Sequence, residues 1–251
     1  MFSLTTEALS SWGALVLVFG SLGCNPTLPP PPPPEEDPNR AWGARLDDVV
    51  SYGGKVDFAE LRRDHAALDA FVGWIAVHGP ETDNMRMTDD DRRLAWHLNA
   101  INALLIWAEL QGVDTRPPQL FSLRFQVDGE PVRLGRHLVN GILATYEEPL
   151  AVAGIGCNSP ACPPMATTLY TRAKIDAALE LRMKRWAESG RLVRESHGEW
   201  VFSPLLAMAE KGFARWADAP TLCAAVAEYV DPAMAERLMA DPECPHRVGG
   251  W

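Results

Sequence analysis

The chain has 251 residues, of which 47% are hydrophobic, and its formal net charge at pH 7 is −10. This length suits one globular domain of about 200 residues together with a terminal segment outside the fold. The negative charge, without any basic run, argues against nucleic-acid binding, because neutralising phosphates requires a basic face. The composition therefore predicts a soluble, acidic domain with no nucleic-acid partner.

The N-terminal leader has the composition of a signal peptide that ends at a lipidation site. Residues 12–22 form an apolar run that is too short for a membrane span, which needs about 20 residues. Small residues flank Leu22 and lead into Cys24, as in a bacterial lipobox, although the leader carries Glu7 and no lysine or arginine. We predict a signal peptide over residues 1–23 and a lipid on Cys24. Secretion without a lipid, or an apolar leader with neither role, are the alternatives.

A proline-rich segment follows Cys24. Residues 29–34 are six consecutive prolines, and acidic residues come directly after them. This composition favours an extended, solvated polyproline II spacer of ~3.1 Å per residue. We predict a disordered, lipid-anchored tether over residues 24–45 and a globular domain over residues 46–251. The residue after Cys24 is not aspartate, which favours the outer membrane; a generic linker without an anchor is the alternative.

The remaining cysteines are consistent with export. They are Cys157, Cys162, Cys223 and Cys244, and an even number in an oxidising compartment indicates two disulfides. Three pairings are possible and the sequence alone does not select one; we favour Cys223–Cys244 together with the local pair Cys157–Cys162. Two cysteines without a matched pair of ligands make only half a zinc site, so we expect no metal and no other cofactor.

The pattern of apolar residues predicts an α+β fold with a predominantly helical core and small antiparallel hairpins. Four segments are expected to be helices: residues 57–77, 88–111, 135–146 and 171–188. The second segment is apolar nearly all round, which predicts a central buried helix.

Turn signals place the hairpins and the C-terminal elements. Asp128-Gly129 and His197-Gly198 each separate two short segments rich in strand-forming residues, which predicts two antiparallel hairpins. Residues 152–156 are expected to form a short buried strand, and two or three helices should complete the chain.

Two segments carry the candidate chemistry. Residues 94–104 place Asn99 and Asn102 on the predicted central helix, and residues 157–164 form a Cys-x4-Cys-Pro-Pro loop. A buried amide costs free energy unless it is hydrogen-bonded. The two asparagines are therefore expected either to clamp the backbone of neighbouring loops or to orient a catalytic group.

In combination, these segments resemble the DUF547 family. The resemblance covers roughly residues 50–216 and includes residues 54–58, the hairpin that leads into residues 141–143, and Tyr170. Many members of this family are exported bacterial lipoproteins, which agrees with the leader. The family's biochemical activity is not established, so the resemblance names no reaction.

The family pattern implies a thiol paired with a histidine, in which Cys157 or Cys162 would be the nucleophile and Asn99 or Asn102 would orient the base. The chain departs from this pattern at both family histidines, because Asn140 and Val152 occupy the matching positions.

One other histidine is close enough in sequence to substitute. His137 lies about one helical turn before Asn140 and is therefore the remaining candidate base. His97 is expected to be a hydrogen-bonded structural histidine on the central helix.

Three functional hypotheses follow. The leading hypothesis is a non-catalytic or degenerate domain that is tethered to the bacterial membrane by its lipid and binds a protein or peptide of the cell envelope. The alternative is a papain- or transglutaminase-like thiol enzyme that acts on amide bonds, with Cys157 or Cys162 as nucleophile and His137 as base. A redox protein that uses the same two cysteines reversibly is the third. The sequence leaves open whether the chain is an enzyme.

Overall fold

A computed structural model describes residues 27–33, 37–210, 221–240 and 243–249. The predicted signal peptide and Cys24 lie outside these ranges. The helices are α1 (Pro38–Val49), α2 (Phe58–Arg63), α3 (Ala66–Ile75), α4 (Asp90–Leu110), α5 (Leu134–Arg136, continued by the π-helical His137–Leu143 and by Ala144–Tyr146), α6 (Ile175–Glu188), α7 (Pro204–Met208), α8 (Leu222–Ala227) and α9 (Pro232–Met239). The strands are β1 (Arg124–Val127), β2 (Glu130–Arg133), β3 (Val193–Ser196), β4 (Glu199–Phe202) and β5 (His246–Val248). This arrangement confirms the α+β class and the predominance of helix.

Helix α4 is the centre of the core, as its apolar pattern predicts. Asp89 caps it by accepting a hydrogen bond from the N–H of Arg92, and Asp90 and Asp91 lie favourably at the positive end of the helix dipole. The helix is buried without interruption along residues 94–108, which means that neighbouring elements surround it on all sides. Its polar residues in this stretch must therefore find partners inside the protein.

Helix α1 corrects the predicted boundary between tether and domain. Asp37 caps the helix by accepting hydrogen bonds from two backbone N–H groups, and Pro38 occupies its first turn. Trp42 and Leu46 are buried in the core, and α1 packs against α3. Folded structure thus begins well before residue 46, inside the range predicted to be disordered. The adjacent prolines and acidic residues gave this segment the composition of a linker and obscured its amphipathic spacing.

The first predicted helix is in fact two. Residues 57–77 contain α2 and α3, separated by Asp64 and His65. Asp64 has extended backbone angles, and its carboxylate accepts a hydrogen bond from the N–H of Ala66. Aspartate side chains compete in this way with helical hydrogen bonding, so the chain restarts a helix here instead of continuing one.

Both predicted hairpins are present. The first turns at Asp128 and Gly129 and the second at His197 and Gly198, and all four residues have positive φ. Such angles are typical of the tight turns that join antiparallel strands. Strand β5 adds to the second hairpin by pairing parallel to β4. That sheet is therefore mixed and not purely antiparallel, because a chain segment distant in sequence completes it.

The predicted strand at residues 152–156 was wrong. A 3₁₀ helix, Pro149–Gly154, occupies most of it, and Glu148 caps this helix by accepting from the N–H of Leu150. The helix is buried against α6. A short, fully buried apolar run has no periodicity that distinguishes a strand from a helix, which explains the error.

Two disulfides close the fold, with the pairing favoured from the sequence. The Cα atoms are 5.5 Å apart in Cys157–Cys162 and 5.7 Å apart in Cys223–Cys244. Such bonds persist in oxidising compartments, so they indicate an exported location. None of the helices in the described ranges combines the length and the apolarity that a bilayer span requires.

Candidate functional site

Asn99 and Asn102 lie one turn apart on α4, and each clamps a backbone segment beside the cysteine loop. Asn99 donates to the carbonyl of Tyr170 at 2.9 Å and accepts from the N–H of the same residue at 2.8 Å. Asn102 donates to the carbonyl of Gly154 at 2.8 Å and accepts from the N–H of Gly156 at 2.9 Å. Backbone groups thus occupy both polar atoms of each amide. The asparagines hold the segments on either side of the loop, and none of these hydrogen bonds goes to a histidine.

The cysteine loop lies between these two clamps and is closed by its own disulfide. Cys162 is 0% exposed and Cys157 is 8% exposed. A catalytic cysteine must be available as a thiolate, whereas both sulfurs of this loop are bonded to each other. In this structure neither Cys157 nor Cys162 is a free thiol, which argues against a nucleophilic role for either residue.

The candidate base, His137, has another histidine as its partner. Its Nε2 lies 3.2 Å from Nδ1 of His97, so that one ring donates a hydrogen bond and the other accepts it. His137 is the first residue of the π-helical segment of α5, while His97 is buried on α4. Gly141 provides the space for the His137 ring, because a Cβ at that position would lie 3.0 Å from its Nδ1. The expected structural hydrogen bond of His97 is therefore made to His137.

Both histidines are poor bases in this environment. Burial, followed by the proximity of His137 and Arg93, lowers the pKa of His97 to about 3. Burial also lowers the pKa of His137. Desolvation disfavours the charged imidazolium, so both rings are neutral at pH 7 and interact with each other as neutral dipoles.

His137 and Asn140 line a cleft of about 530 Å³ between the first hairpin and α5. Three arginines line the same cleft: Arg124 on β1, Arg133 on β2 and Arg136 on α5. Asn140 is largely exposed, and its backbone carbonyl accepts a hydrogen bond from the hydroxyl of Thr145. His137 and Asn140, which lie about one helical turn apart in the sequence, therefore line the same cleft.

The cysteine loop faces a different space from the histidines. Cys157 lines a smaller depression together with Gly54, Lys55 and Arg191, and none of these residues lines the His137 cleft. Val152, where the DUF547 resemblance would place a second histidine, is buried in the 3₁₀ helix. The structure therefore does not bring together the thiol, base and amide that the family pattern implies.

Sequence reasoning missed the arginines, although a signal was present. Arg124 and Arg133 are equally distant from the Asp128-Gly129 turn, and the hairpin places them directly opposite each other. Directly opposed residues of an antiparallel pair project to the same face of the ladder. Arg136 follows at the start of α5. The position of the turn was enough to predict that Arg124 and Arg133 lie opposite each other.

The chemistry available in this cleft is that of binding. The side chains that line it offer guanidinium, imidazole and amide groups, but neither a carboxylate nor a thiol. In the part of the chain that the structure describes, no group of three or more His, Cys, Asp or Glu side chains could hold a metal ion. The cleft is thus suited to recognise an anion by hydrogen bonds and charge.

Comparisons with known proteins add no family assignment. No protein-family model matches the chain, and no curated protein or solved structure is significantly similar to it.

Proposed function

We propose that this protein is an exported, non-catalytic binding domain that is tethered to the bacterial membrane by a lipid on Cys24 and holds a partner from the cell envelope. In this proposal the domain is a degenerate relative of the DUF547 family, and the cleft beside His137 is its binding site. The observation that carries the proposal is the Cys157–Cys162 disulfide, which consumes both candidate nucleophiles.

The surroundings of the histidines support the same conclusion. His137 contacts His97 and not a cysteine, and desolvation lowers the pKa of both rings. A general base works best when its pKa is close to the operating pH. The two asparagines are occupied by backbone, so neither orients an imidazole.

The proposed location follows from the leader and the disulfides together. Two disulfides indicate export, and Cys24 lies at the end of a leader of lipoprotein type. A short proline-rich segment, much of it polyproline, separates Cys24 from α1. An anchored domain would therefore lie close to the membrane surface. The residue after Cys24 is not aspartate, which favours the outer membrane as the site of the anchor.

The first test maps the cysteines of the exported full chain by mass spectrometry after alkylation without a reductant. We expect a peptide pair joined through Cys157 and Cys162, and no alkylation at either residue. A rapidly alkylated Cys157 or Cys162 would contradict the proposal and restore the thiol-enzyme hypothesis.

The second test addresses the anchor. Cys24→Ser should move the protein from the membrane fraction to the soluble fraction with an unchanged melting temperature, because the change removes only the attachment point of the proposed lipid. Asn25→Ser, a neighbouring change that preserves the cysteine, is the matched control and should leave the protein in the membrane fraction. Membrane association that persists in Cys24→Ser would refute the lipid anchor.

A further inference from the structure

We infer that the cleft formed by Arg124, Arg133, Arg136 and His137 binds a compact polyanion, that is, a group with two or more carboxylates or phosphates. This inference rests on the proposed binding function and names the chemistry of the part of the partner that the cleft would hold. It goes beyond that function because the location and the anchoring of the domain say nothing about ligand charge.

The first step is the clustering of positive charge. Arg124 and Arg133 are directly opposed in the β1–β2 ladder, and Arg136 lines the same cleft from α5. Like charges that face each other across a strand pair are destabilising. The fold nevertheless concentrates them here, on a chain whose net charge is −10.

The second step is the lack of internal neutralisation. At least eight of the other fifteen arginines in the described segments have a carboxylate partner, as Arg45 has Glu60 at 3.0 Å and Arg172 has Asp89 at 3.1 Å. Among the described residues, no ion pair or hydrogen bond links a carboxylate to any of the three cleft guanidiniums. The cleft therefore presents to a ligand three guanidinium groups that no carboxylate of the described residues neutralises.

The third step concerns the size and shape of the ligand. A volume of about 530 Å³ lies within the range of small-molecule sites, roughly 300–1,000 Å³. Guanidinium groups bind carboxylate and phosphate oxygens in bidentate geometry. Three guanidiniums on β1, β2 and α5 offer more donors than one carboxylate can accept in bidentate geometry, so a ligand with several oxyanion groups fits the cleft best.

His137 and Asn140 add neutral hydrogen-bonding groups beside the arginines. A neutral imidazole and an amide can each donate to an oxyanion without adding to the repulsion among the cations. This combination fits a ligand that has polar atoms as well as charge, and it assigns His137 a binding role in place of a catalytic one.

The test is a calorimetric titration of the purified full chain with four probes: acetate, inorganic phosphate, citrate and pyrophosphate. We expect citrate or pyrophosphate, or both, to bind at least about tenfold more tightly than acetate and phosphate. Tighter binding of citrate assigns the site to a carboxylate source, and tighter binding of pyrophosphate assigns it to a phosphate source. The affinity should fall as salt is added, because the attraction is between charges.

The variants are Arg133→Gln and the matched control Arg62→Gln, which removes the same charge from the exposed end of α2. Arg133→Gln should weaken the tighter-binding polyanion at least about tenfold, and the control should change its affinity less than twofold. The inference is overturned if neither citrate nor pyrophosphate binds at millimolar concentrations, or if the two variants weaken binding equally.

These outcomes are independent of the tests of the proposed function. Suppose that Cys157 and Cys162 are bonded and that Cys24→Ser releases the protein from the membrane, but that no polyanion binds. This result would refute the proposed ligand chemistry and leave the proposed function intact. Polyanion binding by a protein with a free cysteine would refute the non-catalytic proposal and leave the ligand chemistry in place.

Discussion

Arg124 lies directly opposite Arg133 in the β1–β2 hairpin, and neither guanidinium is paired with a carboxylate among the described residues. Buried and exposed residues alternate along β1: Phe125 and Val127 pack inward, and Arg124 points outward. The hairpin therefore does not need either arginine for its core. A mutation can therefore remove charge from the cluster without disturbing the packing of the hairpin.

Arg133→Gln should stabilise the protein by about 0.2–1 kcal/mol, because it removes a cross-strand repulsion of that size. Urea unfolding at low salt would measure the change in the free energy of unfolding, and added salt should diminish it by screening. The same variant is expected to lose polyanion affinity. Destabilisation by Arg133→Gln would mean that the arginine is a structural element of the hairpin, contrary to this account.

The parts of the fold with strong periodicity were predictable. The apolar pattern of residues 94–108 identified α4 because a helix that is apolar all round can only be central. The two hairpins followed from Asp128-Gly129 and His197-Gly198, because few residues adopt the positive φ that such turns need.

The remaining differences have local physical causes. The break at Asp64 depends on a single side-chain hydrogen bond from the N–H of Ala66. All residues of the 3₁₀ helix Pro149–Gly154 are buried, so its sequence shows no alternation of apolar and polar positions. The π-helical segment His137–Leu143 departs from the 3.6-residue repeat on which helix prediction relies. The contact between His137 and His97 joins residues 40 apart in sequence, so no local pattern could indicate it.

Asn102→Ala should be strongly destabilising. The change leaves the N–H of Gly156 without its acceptor and removes one of two donors to the carbonyl of Gly154, which keeps the hydroxyl of Tyr170 as a partner. A buried polar group left without a partner costs about 1–3 kcal/mol and a lost hydrogen bond about 0.5–1.5 kcal/mol, so we expect a loss of roughly 2–4 kcal/mol in the free energy of unfolding. Chemical denaturation of the oxidised protein is the appropriate measurement.

Asn158→Ala is the control for that change, because Asn158 is exposed and its amide donates to another side chain, that of Glu109. It should cost less than about 1 kcal/mol. Equal losses in the two variants would contradict the view that Asn102 stabilises by clamping the backbone.

The two disulfides should differ in their contribution to stability. The bonded residues are separated by 5 positions in Cys157–Cys162 and by 21 positions in Cys223–Cys244. In the chain-entropy model, a disulfide that closes a longer loop removes more entropy from the unfolded chain. The expected stabilisation is about 2 kcal/mol for the short loop and about 3 kcal/mol for the long one. Paired Cys→Ala variants of each bridge, compared by urea unfolding, would test this order. A larger loss at Cys157–Cys162 would show that the short bridge acts on the native state and not mainly on the unfolded chain.

The stability of the protein should decrease as the pH falls below the normal range of histidine. The pKa of His97 is about 3 in the folded protein, against an ordinary value of 6.5 for histidine, so the unfolded chain takes up the proton first. The contribution of neutral His97 to the free energy of unfolding is therefore complete above about pH 6.5 and is lost progressively as the pH falls toward 3. The largest slope that one such group can give is about 1.4 kcal/mol per pH unit.

His97→Gln should flatten this dependence between pH 6 and pH 4.5, whatever its effect on absolute stability, because glutamine does not titrate. His78→Gln is the control, since His78 is exposed and only stacks on Trp74. The measurement is the free energy of unfolding in urea at several pH values for the wild type and both variants. The pH dependence of the free energy of unfolding should weaken in His97→Gln and persist in His78→Gln. If both variants retain it, the buried His97–His137 pair is not its source. The carboxylates would then have to account for the acid sensitivity.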